Sequence, residues 1–284
     1  MSTPQPAAAT ASPEVDPVAA AQRLSVATCL GFGVGTVGVS IMLNAVTPYF
    51  PAFMSTVLGQ SPALAGTLLT LSKLYDAVAD ILIGRLSDRT RSRWGRRRPF
   101  LLIGAVVSAG SFLMLFTPPK LDDFWLLVYM SLGLIIYSTG YSLFNVPYMT
   151  MPSEMTDGYH ERTRLLGYRM VFVSIGQVLS GAGTAALIQR GGGGAAGYEL
   201  MGWVMALIIF GAMTAAFFGT AKARAIERSH APARLPGGQV ALLLKNRPFM
   251  LLAAAKVFQF FGFSSVAVTG LLFLLNVVHV GYEG

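Results

Sequence analysis

Three charged residues stand in the middle of a long apolar stretch of the sequence. Lys73, Asp76 and Asp80 occur in the segment KLYDAVAD, and no Asp, Glu, Lys or Arg lies between Arg23 and Lys73. On a helix, Asp76 and Asp80 are one turn apart and share a face, and Lys73 lies on the same side. A charged side chain at membrane depth costs about 2.5–3.5 kcal/mol, so such residues are kept where they bind something.

Two carboxylates at this spacing repel each other unless a cation lies between them or one of them is protonated. Either arrangement describes a site for a coupling ion, H⁺ or Na⁺. The alternative is that Lys73 neutralises one aspartate and the three charges only hold helices together. Because Lys73 balances only one of the two carboxylates, we interpret Asp76 and Asp80 as a cation-coupling pair.

Two further apolar segments carry polar side chains. On the first, the polar face runs through Ser138, Tyr141, Ser142, Asn145 and Tyr148 or Met149. These groups can complete an ion shell or bind substrate hydroxyls. They can equally form hydrogen bonds between helices. Arg169, on the next segment, offers a fork of donors to a substrate, or it extends from a helix end to the membrane interface. The sequence leaves these alternatives open.

The elements that carry these residues are long apolar helices. Of 284 residues, 54% are hydrophobic and 12% are charged, against about 25% charged in soluble domains. Membrane β-strands are only about ten residues long, and the apolar segments are longer. The sequence therefore predicts an all-α polytopic membrane protein. Its seven segments lie at about 24–57, 63–87, 99–118, 124–150, 164–189, 198–221 and 248–280.

Basic residues cluster in alternate loops and predict the organisation of the chain. Six arginines lie between positions 89 and 98, in the loop after segment two. This bias places the N-terminus and the loops after segments two, four and six in the cytoplasm. We expect a disordered tail over 1–22, a six-helix bundle over 23–221 built from two inverted three-helix repeats, a basic linker over 222–247, and a seventh helix over 248–284.

Composition also limits the partners and cofactors. The net charge of +8 is concentrated in loops between apolar segments, so we expect a lipid bilayer and no nucleic acid as a partner. With one cysteine, no disulfide can form within the chain, and the three histidines are scattered. We expect no cofactor and no metal, apart from a possible Na⁺ at Asp76 and Asp80.

Longer stretches around these residues carry a family resemblance. GRLSDRTRSRWGRRRP (84–99) resembles the signature between helices two and three of the major facilitator superfamily. DAVAD and NVPYMTMPSEMTDGYHERTRLLGYRMVF (145–172) are similar to the glycoside–pentoside–hexuronide:cation symporter group, which includes the melibiose permease and is related to sucrose transporters. The resemblance implies twelve helices with the substrate between two halves. The chain then looks like the N-terminal half and one further helix, with the C-terminal half missing.

The resemblance also implies roles for individual residues. The cation-coupling residues are Asp76, Asp80 and Ser142. Together with the polar faces described above, the substrate-binding set is Lys73, Tyr141, Asn145, Tyr148 and Arg169. Six residues match the signature that latches the two halves together in this family: Gly84, Asp88, Arg89, Arg96, Arg97 and Arg98.

Two positions depart from the pattern of the group. Ala79 replaces an asparagine expected between the two aspartates, which removes a neutral oxygen ligand. Asn145 replaces an acid that holds substrate hydroxyls, which puts α-galactosides in doubt. Losing ligands weakens a sodium site more than a proton site, because a proton needs only one carboxylate. We therefore favour H⁺ over Na⁺ as the coupling ion.

The expected function is cation-coupled symport of a sugar or glycoside by alternating access, in a bacterial inner membrane and without enzymatic activity. One alternative is a major facilitator carrier of a lipid or a drug. A non-functional fragment is a further alternative. An intramembrane aspartyl protease would need a second aspartate on another helix, and no Gly-x-Gly-Asp occurs in the sequence.

Overall fold

The computed structural model describes residues 24–90, 92–156, 158–221, 245–259 and 262. They fall into two compact units that divide between Arg228 and Ser229. The described helices of the first unit are α1 (Val26–Thr56), α2 (Pro62–Arg89), α3 (Arg98–Phe116), α4 (Asp123–Met155), α5 (Tyr159–Val178), α6 (Thr184–Arg190) and α7 (Gly194–Gly219). A π-helical segment, Leu179–Gly183, joins α5 to α6. In the second unit, residues 247–259 are helical.

Five of the described helical stretches are long and apolar enough to cross a membrane. They are Val26–Thr56, Arg98–Phe116, Asp123–Met155, Tyr159–Arg190 and Gly194–Gly219. Helix α2 has 28 residues, about 42 Å, which exceeds the roughly 30 Å of a bilayer core. Its charged residues are what distinguish it from the other spans. The prediction of an all-α polytopic membrane protein is confirmed.

Local signals explain where the first two helices begin. The Ser25 hydroxyl accepts the Thr28 N–H at 3.1 Å, and the Ser61 hydroxyl accepts the Leu64 N–H at 3.2 Å. These caps satisfy backbone donors that have no partner within the helix. Helix α1 then continues through both Pro48 and Pro51 as one element.

Helix α1 is the most buried of the five membrane-length helical stretches of the first unit. Helix α1 packs against α5 and α7, and α4 packs against α2 and α3. Glycines allow several of these helices to approach closely, and two examples show the distances. A Cβ on Gly31 of α1 would lie 2.5 Å from the Gly219 Cα of α7, and one on Gly104 of α3 would lie 2.7 Å from the Phe144 backbone N of α4. Such close contacts are typical of membrane helices, where small residues let backbones approach.

Helix α2 lies at the rim of the unit and buries only one face. Its buried residues are Ala65, Ser72, Ala79, Ile83 and Ser87, which recur every four or seven residues. The Ser72 and Ser138 hydroxyls share a hydrogen bond of 2.9 Å, so this face packs on α4. Asp76 and Asp80 lie beside this face, at the border between the packed and the open side of α2.

Three expected segments lie wholly or largely outside the described residues. They are the tail over 1–22, the linker over 222–247 except its last three residues, and the seventh span beyond residue 259 except residue 262. Their boundaries remain predictions.

Candidate functional site

The charged group on α2 is joined to α4 by one hydrogen bond. The Ser142 hydroxyl donates to Asp76 Oδ1 at 3.0 Å, and Lys73 Nζ lies 3.8 Å from Asp76 Oδ2. The Asp76 side chain is 15% exposed and the Lys73 side chain is 50% exposed. The structure therefore brings Asp76 and Ser142 together, as expected. Lys73 balances this carboxylate from the open side.

Asp80 differs from Asp76 in having no such partner. Its Oδ1 atom is buried and accepts no hydrogen bond from the residues that the structure describes. Asn145 Oδ1 and Arg169 Nε are buried and unpartnered in the same way. Buried polar atoms normally have partners, because an unmade hydrogen bond costs about 1–3 kcal/mol. An acceptor pair and a donor therefore remain available to an ion, water or a ligand.

Tyr141 presents its ring to the charged group. Lys73 Nζ lies 5.8 Å from the centroid of the Tyr141 ring, within the range of a cation–π contact. Tyr141 and Asn145 are four residues apart and share a face of α4. An aromatic face, an amide and an ammonium group therefore border the same side of α2 and α4.

Tyr148 lies in the core of the bundle. Its side chain is fully buried, stacked 4.4 Å from the Phe32 ring and 5.1 Å from the Phe144 ring, measured between centroids. Its hydroxyl donates to the Phe32 carbonyl and shares a 2.7 Å hydrogen bond with Thr36. Tyr148 thus joins α4 to α1, and no face of its ring is open to a sugar. We leave it out of the proposed binding site.

Two positions near the aspartates contribute no oxygen ligand to the site. Ala79 is 5% exposed and lies on the buried face of α2, so no side-chain oxygen enters the site from this position. The Ser138 hydroxyl forms its hydrogen bond with Ser72 of α2, so this residue of the polar face connects two helices. Among the residues that the structure describes, no three or more His, Cys, Asp or Glu side chains form a group that could hold a metal ion.

The arginine-rich loop forms an ion network where α2 meets α3. Arg97 is 10% exposed, and its guanidinium bonds to Asp88 at 2.9 Å and to Glu154 at 2.7 Å. Arg96 also contacts Glu154, at 2.5 Å. Arg98 donates to the Phe217 carbonyl at 2.9 Å, and its guanidinium carbon lies 4.6 Å from the centroid of the Phe217 ring. The network therefore links α2, α3, α4 and α7.

Sequence reasoning missed Glu154, which accepts from two arginines. Its signal was weak, since a single acid near the end of a long helix is common. Two other expected latch residues lie outside the ion network. A Cβ on Gly84 would lie 3.6 Å from Val146, so this glycine faces α4, whereas Arg89 is exposed.

Comparisons with known proteins give the family of the chain. The sequence profile of the family described as MFS/sugar transport protein matches residues 31–281. The chain is 37% identical over 166 residues to the uncharacterized symporter sll1374 of Synechocystis, covering 56% of this chain and 30% of that protein. It is 29% identical to the putative glycoside/cation symporter YagG of Escherichia coli, over 83% and 51% of the two chains.

A third relative is the putative sulfoquinovose importer of Salmonella typhimurium, which is 28% identical over 91% of this chain and 56% of its own length. The chain thus spans about half or less of the length of these relatives. The matched family is one of transporters, so the expectation that the chain is not an enzyme is confirmed. The profile covers most of the chain, and the chain therefore belongs to the MFS/sugar transport protein family, in the glycoside–pentoside–hexuronide:cation symporter group of the major facilitator superfamily.

Proposed function

We propose that the protein is a secondary active transporter that couples a cation to the uptake of a sugar or glycoside. The observation that carries this proposal is the pair of aspartates on α2, one bonded to Ser142 and the other with a buried, unpartnered oxygen. The names of two relatives, a putative glycoside/cation symporter and a putative sulfoquinovose importer, point to the same substrate class, and the first also points to cation coupling.

For the coupling ion we propose H⁺. Asp76 already receives a hydroxyl donor from Ser142 and an ammonium group from Lys73, so one charge is balanced without an added ion. Asp80 is the remaining carboxylate, and Ala79 supplies no oxygen beside it. A proton needs one carboxylate oxygen, whereas Na⁺ needs several oxygen ligands. The available groups therefore suit protonation of Asp80 better than a sodium shell.

For the substrate we propose contacts with Lys73, Tyr141, Asn145 and Arg169. An amide oxygen accepts from a sugar hydroxyl, a guanidinium donates to one, and an aromatic ring packs on the apolar face of a sugar ring. Asn145 Oδ1 and Arg169 Nε are both buried, and neither makes a hydrogen bond with the residues that the structure describes. Binding a hydroxylated ligand would satisfy both.

For the whole transporter we propose that a second half closes over the side of α2 that carries Asp76 and Asp80 and over the open side of α5. The substrate would then lie between the halves, and alternating access would rock them around it. The ion network of Asp88, Arg96, Arg97 and Glu154 would act at the closed end, together with Arg98. The distribution of basic residues supports a cytoplasmic N-terminus. The similarity to bacterial transporters supports a location in a bacterial inner membrane.

Uptake in sodium-free medium tests the coupling ion. We expect proteoliposomes holding the protein to accumulate a labelled glycoside when the outside is made more acidic than the inside. Asp80→Asn should remove this accumulation. Glu199→Gln removes an exposed acid at the start of α7 and should leave it unchanged. Uptake that requires Na⁺ and ignores the pH gradient would overturn the proton proposal, and accumulation of a lipid or drug but of no glycoside would overturn the substrate class.

A further inference from the structure

The charged residues near the end of α2 fall into two groups: one belongs to the ion network, and the other lies on the outer face of the helix. Arg85 follows Asp76 by nine positions, and Arg89 follows Asp80 by nine positions. Nine residues make two and a half turns of an α-helix, so the two arginines lie on the side opposite the two aspartates. Asp88 and the arginines at the start of α3 form the ion network, whereas Arg85 and Arg89 are exposed on the outer face.

The outer face of α2 is otherwise apolar. Leu74, Val78, Ile81, Leu82 and Leu86 are each between 56% and 65% exposed. From Leu74 to Arg85 the helix rises about 16 Å, close to one leaflet of a hydrocarbon core of about 30 Å. The stripe therefore has the length of one lipid acyl chain, and it ends at two positive charges.

These two charges are not used within the bundle. Neither Arg85 nor Arg89 comes within 4 Å of a carboxylate among the residues that the structure describes. The nearest acid in sequence, Asp88, is paired with Arg97. Trp94 is exposed in the same loop, with the Arg93 guanidinium 5.1 Å from its ring centroid. Exposed tryptophan is typical of the headgroup level of a membrane, so this loop lies at that depth.

We propose that the outer face of α2 binds an anionic phospholipid. Its acyl chain lies along the stripe from Leu74 to Leu86, and its phosphate group bonds to Arg85 and Arg89. Arginine suits this role because its planar guanidinium binds phosphate oxygens in a bidentate manner. The site is separate from the transport site and does not depend on the proposed function.

Lipid binding to the purified full chain tests this proposal. Phosphatidylglycerol and phosphatidylcholine with the same acyl chains are titrated into the detergent-solubilised protein, and bound lipid is counted by native mass spectrometry. We expect tighter binding of phosphatidylglycerol. The double variant Arg85→Gln/Arg89→Gln should weaken that binding about 25-fold, since each arginine near an anionic lipid surface contributes about fivefold. Arg85→Lys/Arg89→Lys should retain most of it.

A matched control removes two exposed charges from the other end of the bundle. Lys120→Gln/Arg190→Gln loses the same net charge and should bind phosphatidylglycerol as the unaltered protein does. An equal loss in this control would show only a general charge effect and would overturn the proposal. Equal binding of the two lipids, or unchanged binding after Arg85→Gln/Arg89→Gln, would also overturn it. Inorganic phosphate that displaces the lipid at equal concentration would show that no acyl-chain contact is made.

Discussion

Replacing one glycine where α3 crosses α4 should both destabilise the protein and disturb its binding site. A Cβ on Gly104 would lie 2.7, 2.8 and 2.9 Å from the backbone N, Cβ and Cα of Phe144. Ordinary contacts begin near 3.4 Å, so Gly104→Ala requires a shift of about 0.7 Å (3.4 − 2.7). Phe144 lies between Ser142 and Asn145, so a displacement of this backbone also moves two proposed ligand groups.

The magnitude follows from comparison with a second glycine in the same helix. Gly110 is exposed, and a Cβ there meets nothing within 4 Å. Both substitutions gain helix propensity, up to about 1 kcal/mol, and this gain cancels when the two variants are compared. What remains is the cost of overpacking, about 1–3 kcal/mol. For a protein of this size that cost corresponds to a difference in Tm of about 2–12 °C.

Thermal unfolding of the two purified variants in the same detergent measures this difference. Gly104→Ala should unfold below Gly110→Ala, and it should also need more labelled glycoside for half-maximal binding. Equal Tm values for the two variants would refute the close approach of α3 to α4. A lower Tm with unchanged binding would refute the claim that this crossing positions Ser142 and Asn145.

Three other substitutions test individual contacts. Ser142→Ala removes the hydroxyl that donates to the largely buried Asp76 carboxylate and should lower the free energy of unfolding by about 1–3 kcal/mol, measured by denaturant unfolding. Tyr148→Phe removes the buried hydroxyl that joins α4 to α1 and should lower the free energy of unfolding by about 1–3 kcal/mol without changing substrate affinity. Glu154→Gln leaves the buried Arg97 with one carboxylate partner instead of two and should lower that free energy by about 1–3 kcal/mol, measured by denaturant unfolding. An unaffected protein in any of these assays would contradict the contact concerned.

The sequence was sufficient to predict the class of fold and the face that carries the charges. Charge is so costly in a membrane that Asp76 and Asp80 stand out against an apolar background, and their spacing fixes a shared face. The partner of that face is a tertiary property. The residues alone left open whether Ser142 bonds to an ion, to substrate or to another helix, and the resemblance was needed to assign it to the cation site.

Tyr148 shows where helical spacing stops being informative. Counting from Asn145, three residues advance the helix by 300° and four advance it by 400°. Tyr148 is therefore displaced by 60° in one direction and Met149 by 40° in the other. Because α4 is packed on several sides, this difference places Tyr148 in the core and leaves Met149 exposed. A sequence pattern does not show which part of a helix its neighbours cover.

The sequence also did not predict which arginines of the loop pair with Glu154 and which are exposed. Six arginines close together suggest one shared role, and only packing separates those that meet Glu154 from those on the outer face. The π-helical segment after α5 is similar, since its glycines, Gly181 and Gly183, permit several backbone conformations.

The proposal that Asp80 carries the coupling ion is tested most directly by comparing exchange with accumulation in one set of proteoliposomes. Exchange of labelled for unlabelled glycoside needs binding and alternating access, whereas accumulation against a gradient also needs the coupled ion. We predict that Asp80→Asn keeps substantial exchange and loses accumulation driven by a pH gradient. If Asp80→Asn still accumulates glycoside as the unaltered protein does, Asp80 does not carry the coupling ion.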